Sequence, residues 1–168
     1  MAEADSCAAP AKTTPLPVAS PMLHLFPGRS NVAFLAKAQF LCHDSFREEG
    51  PSDIIATGNL YCTACLVEGP VPVTPRTSVV VGCASMYASD SAVEIWNVAV
   101  APSHRRRGHC RSLIRACVTL ASLMFPDLPV RIVVHVNNPI QAAYRRLGFT
   151  TTIKTTTSSV VLQHDGTE

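Results

Sequence analysis

Between Val93 and Leu113 the chain reads VEIWNVAVAPSHRRRGHCRSL, and no other run constrains the fold as tightly. Its first half, Val93 to Val100, is rich in β-branched residues and predicts a strand. Pro102 ends that strand by denying the ladder a donor. After Gly108 the period changes. Cys110, Leu113, Ile114, Cys117, Ala121 and Met124 recur at i, i+3, i+4, i+7 spacing and predict a long helix. A strand that runs through a glycine turn into a helix builds an anion site, because the first helical N–H groups lack intrahelical partners and the helix dipole is positive there. Arg105, Arg106 and Arg107 stand at its mouth, and guanidinium forks suit phosphate oxygens. Gly108 lets the backbone approach a ligand with no Cβ in the way. A solvated basic turn is the plainer reading; the strand–turn–helix order and the glycine favour the anion site.

The chain around this run alternates strands and helices. Met22 to Phe26 predicts a first strand closed by Pro27-Gly28, and Ser30 or Asn31 is placed to cap a helix reaching about His43. Residues 46–58 predict a loop with a short second helix started by Pro51. Two strands follow, Asn59 to Val67 and Ser78 to Tyr87, joined by a proline-bearing loop. Past the long helix, Phe125 to Pro129 is a breaker, and Val130 to Val136 is an aliphatic run that predicts a strand buried on both faces. Strand, helix, strand in this order is a right-handed βαβ unit. Asn137-Asn138-Pro139 opens a further helix that stops at Gly148, and residues 149–162 alternate as a terminal antiparallel pair.

A length of 168 residues suits one domain with a sizeable core. Residues 1–20 read as a disordered tail, 21–163 as the domain and 164–168 as a C-terminal tail. The net charge of +2 is too small for a nucleic-acid surface, and the basic residues cluster from Arg105 to Arg115, which favours a phosphate ligand over a polyanion track. Seven cysteines without a secretory signal predict reduced thiols in a cytoplasmic or nuclear protein that is not secreted. No apolar run reaches membrane-spanning length. Cys62-x-x-Cys65 lies on a predicted strand without two further ligands at matching spacing, so these read as ordinary thiols and no metal is expected.

Arg105-Arg106-Arg107-Gly108-His109-Cys110 resembles the R/Q-x-x-G-x-G/A acetyl-CoA signature of the GNAT superfamily of N-acetyltransferases, with Cys110 where Gly or Ala is usual. Asn137-x6-Tyr144-x3-Gly148-Phe149 resembles the family's second signature and lies one strand after the first. The resemblance implies an α/β fold: a mixed, twisted sheet of about seven strands flanked by four helices, its parallel fourth and fifth strands splayed around a pantetheine arm. It implies acetyl-CoA as cosubstrate, held by the backbone of Val98, Ala99 and Val100, by the turn formed by Arg105, Arg106, Arg107, Gly108, His109, Cys110 and Arg111, and by Asn137. The implied chemistry is direct acetyl transfer to a primary amine of a small molecule, a lysine or a protein N-terminus.

Two side chains stand out for that chemistry. Attack by an amine needs the neutral form, hence a base, and Glu94 aligns with the strand-four glutamate that serves some branches; a solvent-facing strand glutamate is the other reading. Tyr144 is placed to protonate a departing thiolate, against an ordinary half-buried tyrosine packed by Leu147. Trp96 and Asn97 either shape an acceptor pocket or anchor the core, and His104, His109 and His135 are substitute bases. Glu48, Glu49 and Asp53 either attract a cationic amine or merely solvate a loop. A catalytically silent acyl-CoA-binding module is the rival from another class. A small nucleic-acid-binding domain ranks last, since the strands offer few stacking aromatics.

Overall fold

The computed structural model describes residues 20–46 and 58–166. The predicted second helix at Pro51 and the acids Glu48, Glu49 and Asp53 fall outside them. In chain order the elements are β1 (Met22–Pro27), α1 (Val32–Ser45), β2 (Leu60–Glu68), β3 (Val79–Ala88), β4 (Val93–Val100), a 3-10 turn (Pro102–His104), α2 (His109–Met124), β5 (Val130–His135), α3 (Gln141–Arg145), β6 (Thr151–Thr155) and β7 (Ser159–Gln163). The seven strands form one sheet in the order β1-β2-β3-β4-β5-β7-β6, antiparallel except for β4 and β5. The described residues thus hold three α-helices and one 3-10 turn around a mixed sheet. None of these helices is long and apolar enough to cross a membrane.

The central strands supply two cores, one per face. Ala64, Leu66, Met86, Val93 and Ile95 turn toward α2, whose buried stripe is Leu113, Ile114, Cys117 and Ala121. Cys65, Val67, Cys83 and Tyr87 turn the other way, under Phe34, Leu35, Ala38, Leu41 and Cys42 of α1. Cys62 and Cys65 belong to β2 and are buried. Burial pushes the Cys65 thiol up to about 12, with the neighbouring Cys42 and Cys62 adding to it, so it remains a neutral core group.

β5 departs from its expected two-sided burial. Val130, Ile132 and Val134 are buried, while Arg131, Val133 and His135 are only half-buried. The aliphatic run reflects an apolar cleft wall on the second face, since Val133 lines a cavity rather than packing under a helix.

α3 is also shorter than the predicted helix. Its start is delayed because Asn138 turns the chain first, its Oδ1 accepting from the Ile140 N–H at 3.1 Å. At the other end Gly148 closes the segment with φ 92°, and the N–H groups of Leu147 and Phe149 both reach the Tyr144 carbonyl, at 2.9 and 3.2 Å. Phe149 is fully buried and meets the His164 ring edge-on at 5.1 Å. A Cβ on Gly148 would lie 2.7 Å from His164 Nε2. Gly148→Ala combines that contact with a left-handed backbone, so it should cost about 1–2 kcal/mol, read as a lower urea midpoint with an unchanged slope.

Candidate active site

β4 and β5 begin as partners and then separate. Their register pairs are Val93 with Val130, Glu94 with Arg131 and Ile95 with Ile132, and none is formed beyond. β4 turns away at Asn97, which has φ 54° within an irregularity of the β3–β4 ladder. Asparagine tolerates that backbone better than most residues. The bulge is pinned from behind: its carbonyl accepts from the Cys42 and Cys83 thiols, each at 3.5 Å, and its Nδ2 donates to the Tyr87 hydroxyl at 3.3 Å. The hydrogen-bonded contact with Cys42 and then burial keep the Cys83 thiol well above its usual range, hence protonated and able to donate.

The bulge also inverts the strand. Before it, Ile95 packs toward α2 and Trp96 toward α1; after it, Val98 and Val100 face the α2 side and Ala99 the α1 side. The Ala101 N–H donates to Val81 of β3 at 2.9 Å. Backbone groups alternate along a strand, so those of Val98 and Val100 point away from β3, toward the gap left by β5. Arg105 Nε donates to the Val100 carbonyl across that side at 3.0 Å. The edge therefore offers peptide groups to an extended ligand, with one carbonyl already engaged.

At the foot of the gap lies the N-terminus of α2. Gly108 is its N-cap, with φ 83° and no side-chain cap, and Arg106 before it is left-handed at φ 63°. No acid occupies the first turn. The turn thus presents N–H groups and positive charge with nothing of opposite sign to quench them. His109 Nε2 is buried and without a hydrogen bond among the described residues, an orphan that a polar ligand in the cleft would satisfy. His104 reaches Glu68 at 3.3 Å instead.

Turn, gap and α3 enclose a cavity of about 1300 Å³. Val98, Ala99, Val100, Arg105, Arg106, Gly108, His109, Cys110 and Tyr144 line it, together with Trp96 and Asn97. Arg107 and Arg111 are exposed outside this lining, and so is Asn137, whose place on the wall is taken by Asn138. Glu94 is half-buried behind the wall, its Oε2 accepting from Trp96 Nε1 at 2.9 Å. Sequence reasoning missed Phe46, Val133, Asn138 and Ser159 on the lining. Nothing in sequence marks them, and Val133 belongs to an aliphatic run that reads as core.

Tyr144 is buried against the cavity, and its hydroxyl makes no hydrogen bond among the described residues. Burial pushes the phenol well above its usual range, with the Cys110 thiol beside it a smaller cause. Cys110 itself is half-buried, and desolvation raises its thiol as well.

A splayed parallel pair over a glycine turn at a helix N-terminus is the arrangement that the resemblance to the GNAT superfamily implies. The family model of the acetyltransferase (GNAT) domain matches residues 73–151, which supports an acyltransferase of the GNAT superfamily. Among solved structures it is similar to ElaA of Escherichia coli, at 16% identity over 86% of this chain and 99% of that one, with a TM-score of 0.65. An acyl-CoA N-acyltransferase from Pseudomonas aeruginosa gives 14% identity, 86% and 99% coverage and a TM-score of 0.66. NAA60 of Arabidopsis thaliana, solved with a bisubstrate analogue, gives 15% identity, 85% and 98% coverage and 0.62. No curated protein sequence matches the chain.

The raised Tyr144 phenol carries a sign. An acid held neutral by the fold ionises in the unfolded chain first, near pH ~10, so the fold loses stability as pH climbs from there toward the folded value. In a spectrophotometric titration, one of the three tyrosines should ionise above the ordinary range, and that late component should be missing from Tyr144→Phe.

Proposed function

We propose that the chain transfers an acetyl group from acetyl-CoA to a primary amine by direct attack in a ternary complex. The observation that carries this reading is the continuity of the cleft: one cavity runs from the α2 anion turn, past the outward-facing edge of β4, to the Tyr144 side chain. A diphosphate fits the N–H groups of the turn beside Arg105 and Arg106. The backbone groups of Val98 and the Val100 N–H suit the amides of a pantetheine arm, and Asn137 sits at the head of the turn that follows β5. The thioester supplies the acetyl group; the chain's task is to place it, to manage two protons and to keep water out.

Tyr144 is the acid. A phenol carries its proton at neutral pH, and the Tyr144 side chain lines the cavity, so the hydroxyl is a donor to the departing sulfur. Glu94 is the base. Its Oε2 is held by Trp96, and Oε1 takes the amine's proton through a water, since the carboxylate lies behind the wall. The acceptor end of the cleft is walled by Phe46, Trp96 and Asn97.

The test is thiol release from acetyl-CoA against a panel of ethylamine, free lysine, a lysine-containing peptide blocked at its N-terminus and a peptide with a free N-terminus. Glu94→Gln and Tyr144→Phe should each lose about 10²-fold or more in kcat. Calorimetric coenzyme A binding should remain within a few fold in both. A silent acyl-CoA-binding module instead predicts no release by the wild-type chain with any acceptor and unchanged binding in both variants.

A further inference from the structure

We propose that Trp96 is the positioning residue for Glu94, fixing its carboxylate behind the wall at the acceptor end of the cleft. This rests on the reading of Glu94 as base. The two residues stand two apart on β4, before the bulge, so their side chains leave the strand on the same face. Trp96 Nε1 donates to Glu94 Oε2 at 2.9 Å, a charge-assisted bond. An indole N–H donates and cannot accept, so it can hold the carboxylate but cannot take the proton in its place. It occupies one oxygen and leaves Oε1, which makes no hydrogen bond among the described residues, to receive the proton of the attacking amine.

The division of labour follows from where each group lies. Trp96 lines the cavity and Glu94 does not, so the indole is the wall through which the carboxylate acts. Its ring packs against the α1-side core, and it stands next to Asn97, the bulge residue pinned by Cys42 and Cys83. The donor therefore sits on a fixed part of the strand and not on a loop. A carboxylate without that donor would be free to rotate away from the cleft, since its register neighbour Arg131 directs Nε to Gln163 Oε1 at 3.3 Å.

Trp96 is the only tryptophan in the chain, which makes the contact visible in solution. The experiment pairs emission spectra of wild type and Glu94→Gln, recorded without ligand, with kinetics using the fastest acceptor of the panel above. Removing the carboxylate charge at the pyrrole nitrogen should move the emission to shorter wavelength; an unchanged spectrum overturns the proposal and needs no further variant. Trp96→Phe keeps an aromatic wall and loses the donor. It should lower kcat about tenfold, the worth of a hydrogen bond to a charged group, with the KM for acetyl-CoA unchanged. Added to Glu94→Gln it should cost less than about twofold more, the mark of two residues acting as one unit. Independent, multiplying losses overturn the proposal, as does wild-type turnover in Trp96→Phe when Glu94→Gln is slow. Full turnover in Glu94→Gln instead removes the base assignment on which the proposal rests.

Discussion

The short partnership of β4 and β5 is the constraint on which the rest depends. A parallel pair that ran its full length would bury its own peptide groups and leave no cleft. Here the ladder stops at Ile95 and Ile132 because β4 is turned by the bulge at Asn97, while β5 stays paired with β7 as far as His135. The freed edge of β4 is then obliged to find other partners. Arg105 satisfies one carbonyl, and the remainder faces the cavity. A site for an extended amide-bearing ligand is thus the consequence of a sheet that cannot close.

The bulge costs backbone strain, and its surroundings offset it. Positive φ at a non-glycine residue is sparsely populated and persists where neighbours over-determine it. Asn97 is held by two buried thiols from α1 and β3 and by the Tyr87 hydroxyl of β3, so three side chains from two elements converge on one residue. The contact with Cys42 and burial hold the Cys83 thiol well above its usual range, so it stays a donor and not a reactive anion. The cysteine content thus has a structural use at Cys42 and Cys83, where the thiols serve as small buried donors.

Much of this arrangement can be read from residues in order. Val93–Val100 is the strand that its β-branched run predicts, and the helix begins immediately after Gly108. Gly148 takes the left-handed conformation expected of a helix stop. What could not be read depends on contacts remote in sequence. The cysteines that pin Asn97 lie 55 and 14 residues from it, and no periodicity joins them. The outer face of β5 looks like core because an apolar cleft wall has the same composition as a packed interior. Asn138 displaces Asn137 from the wall because a side-chain-capped turn delays α3, a choice between adjacent asparagines that spacing does not make. The hydrogen bond from Trp96 to Glu94 lies between those cases: alternation puts both on one face, but only coordinates show that they meet.

The central claim is that the α2 turn and the opened β4 edge together hold a diphosphate and its pantetheine arm. Calorimetric titration with coenzyme A, run beside pantetheine lacking the nucleotide, tests it most directly. The account predicts saturable uptake of one coenzyme A per chain, weakened by added salt, and markedly poorer binding of pantetheine. No saturable heat with coenzyme A, or equal affinity for the two, would contradict it.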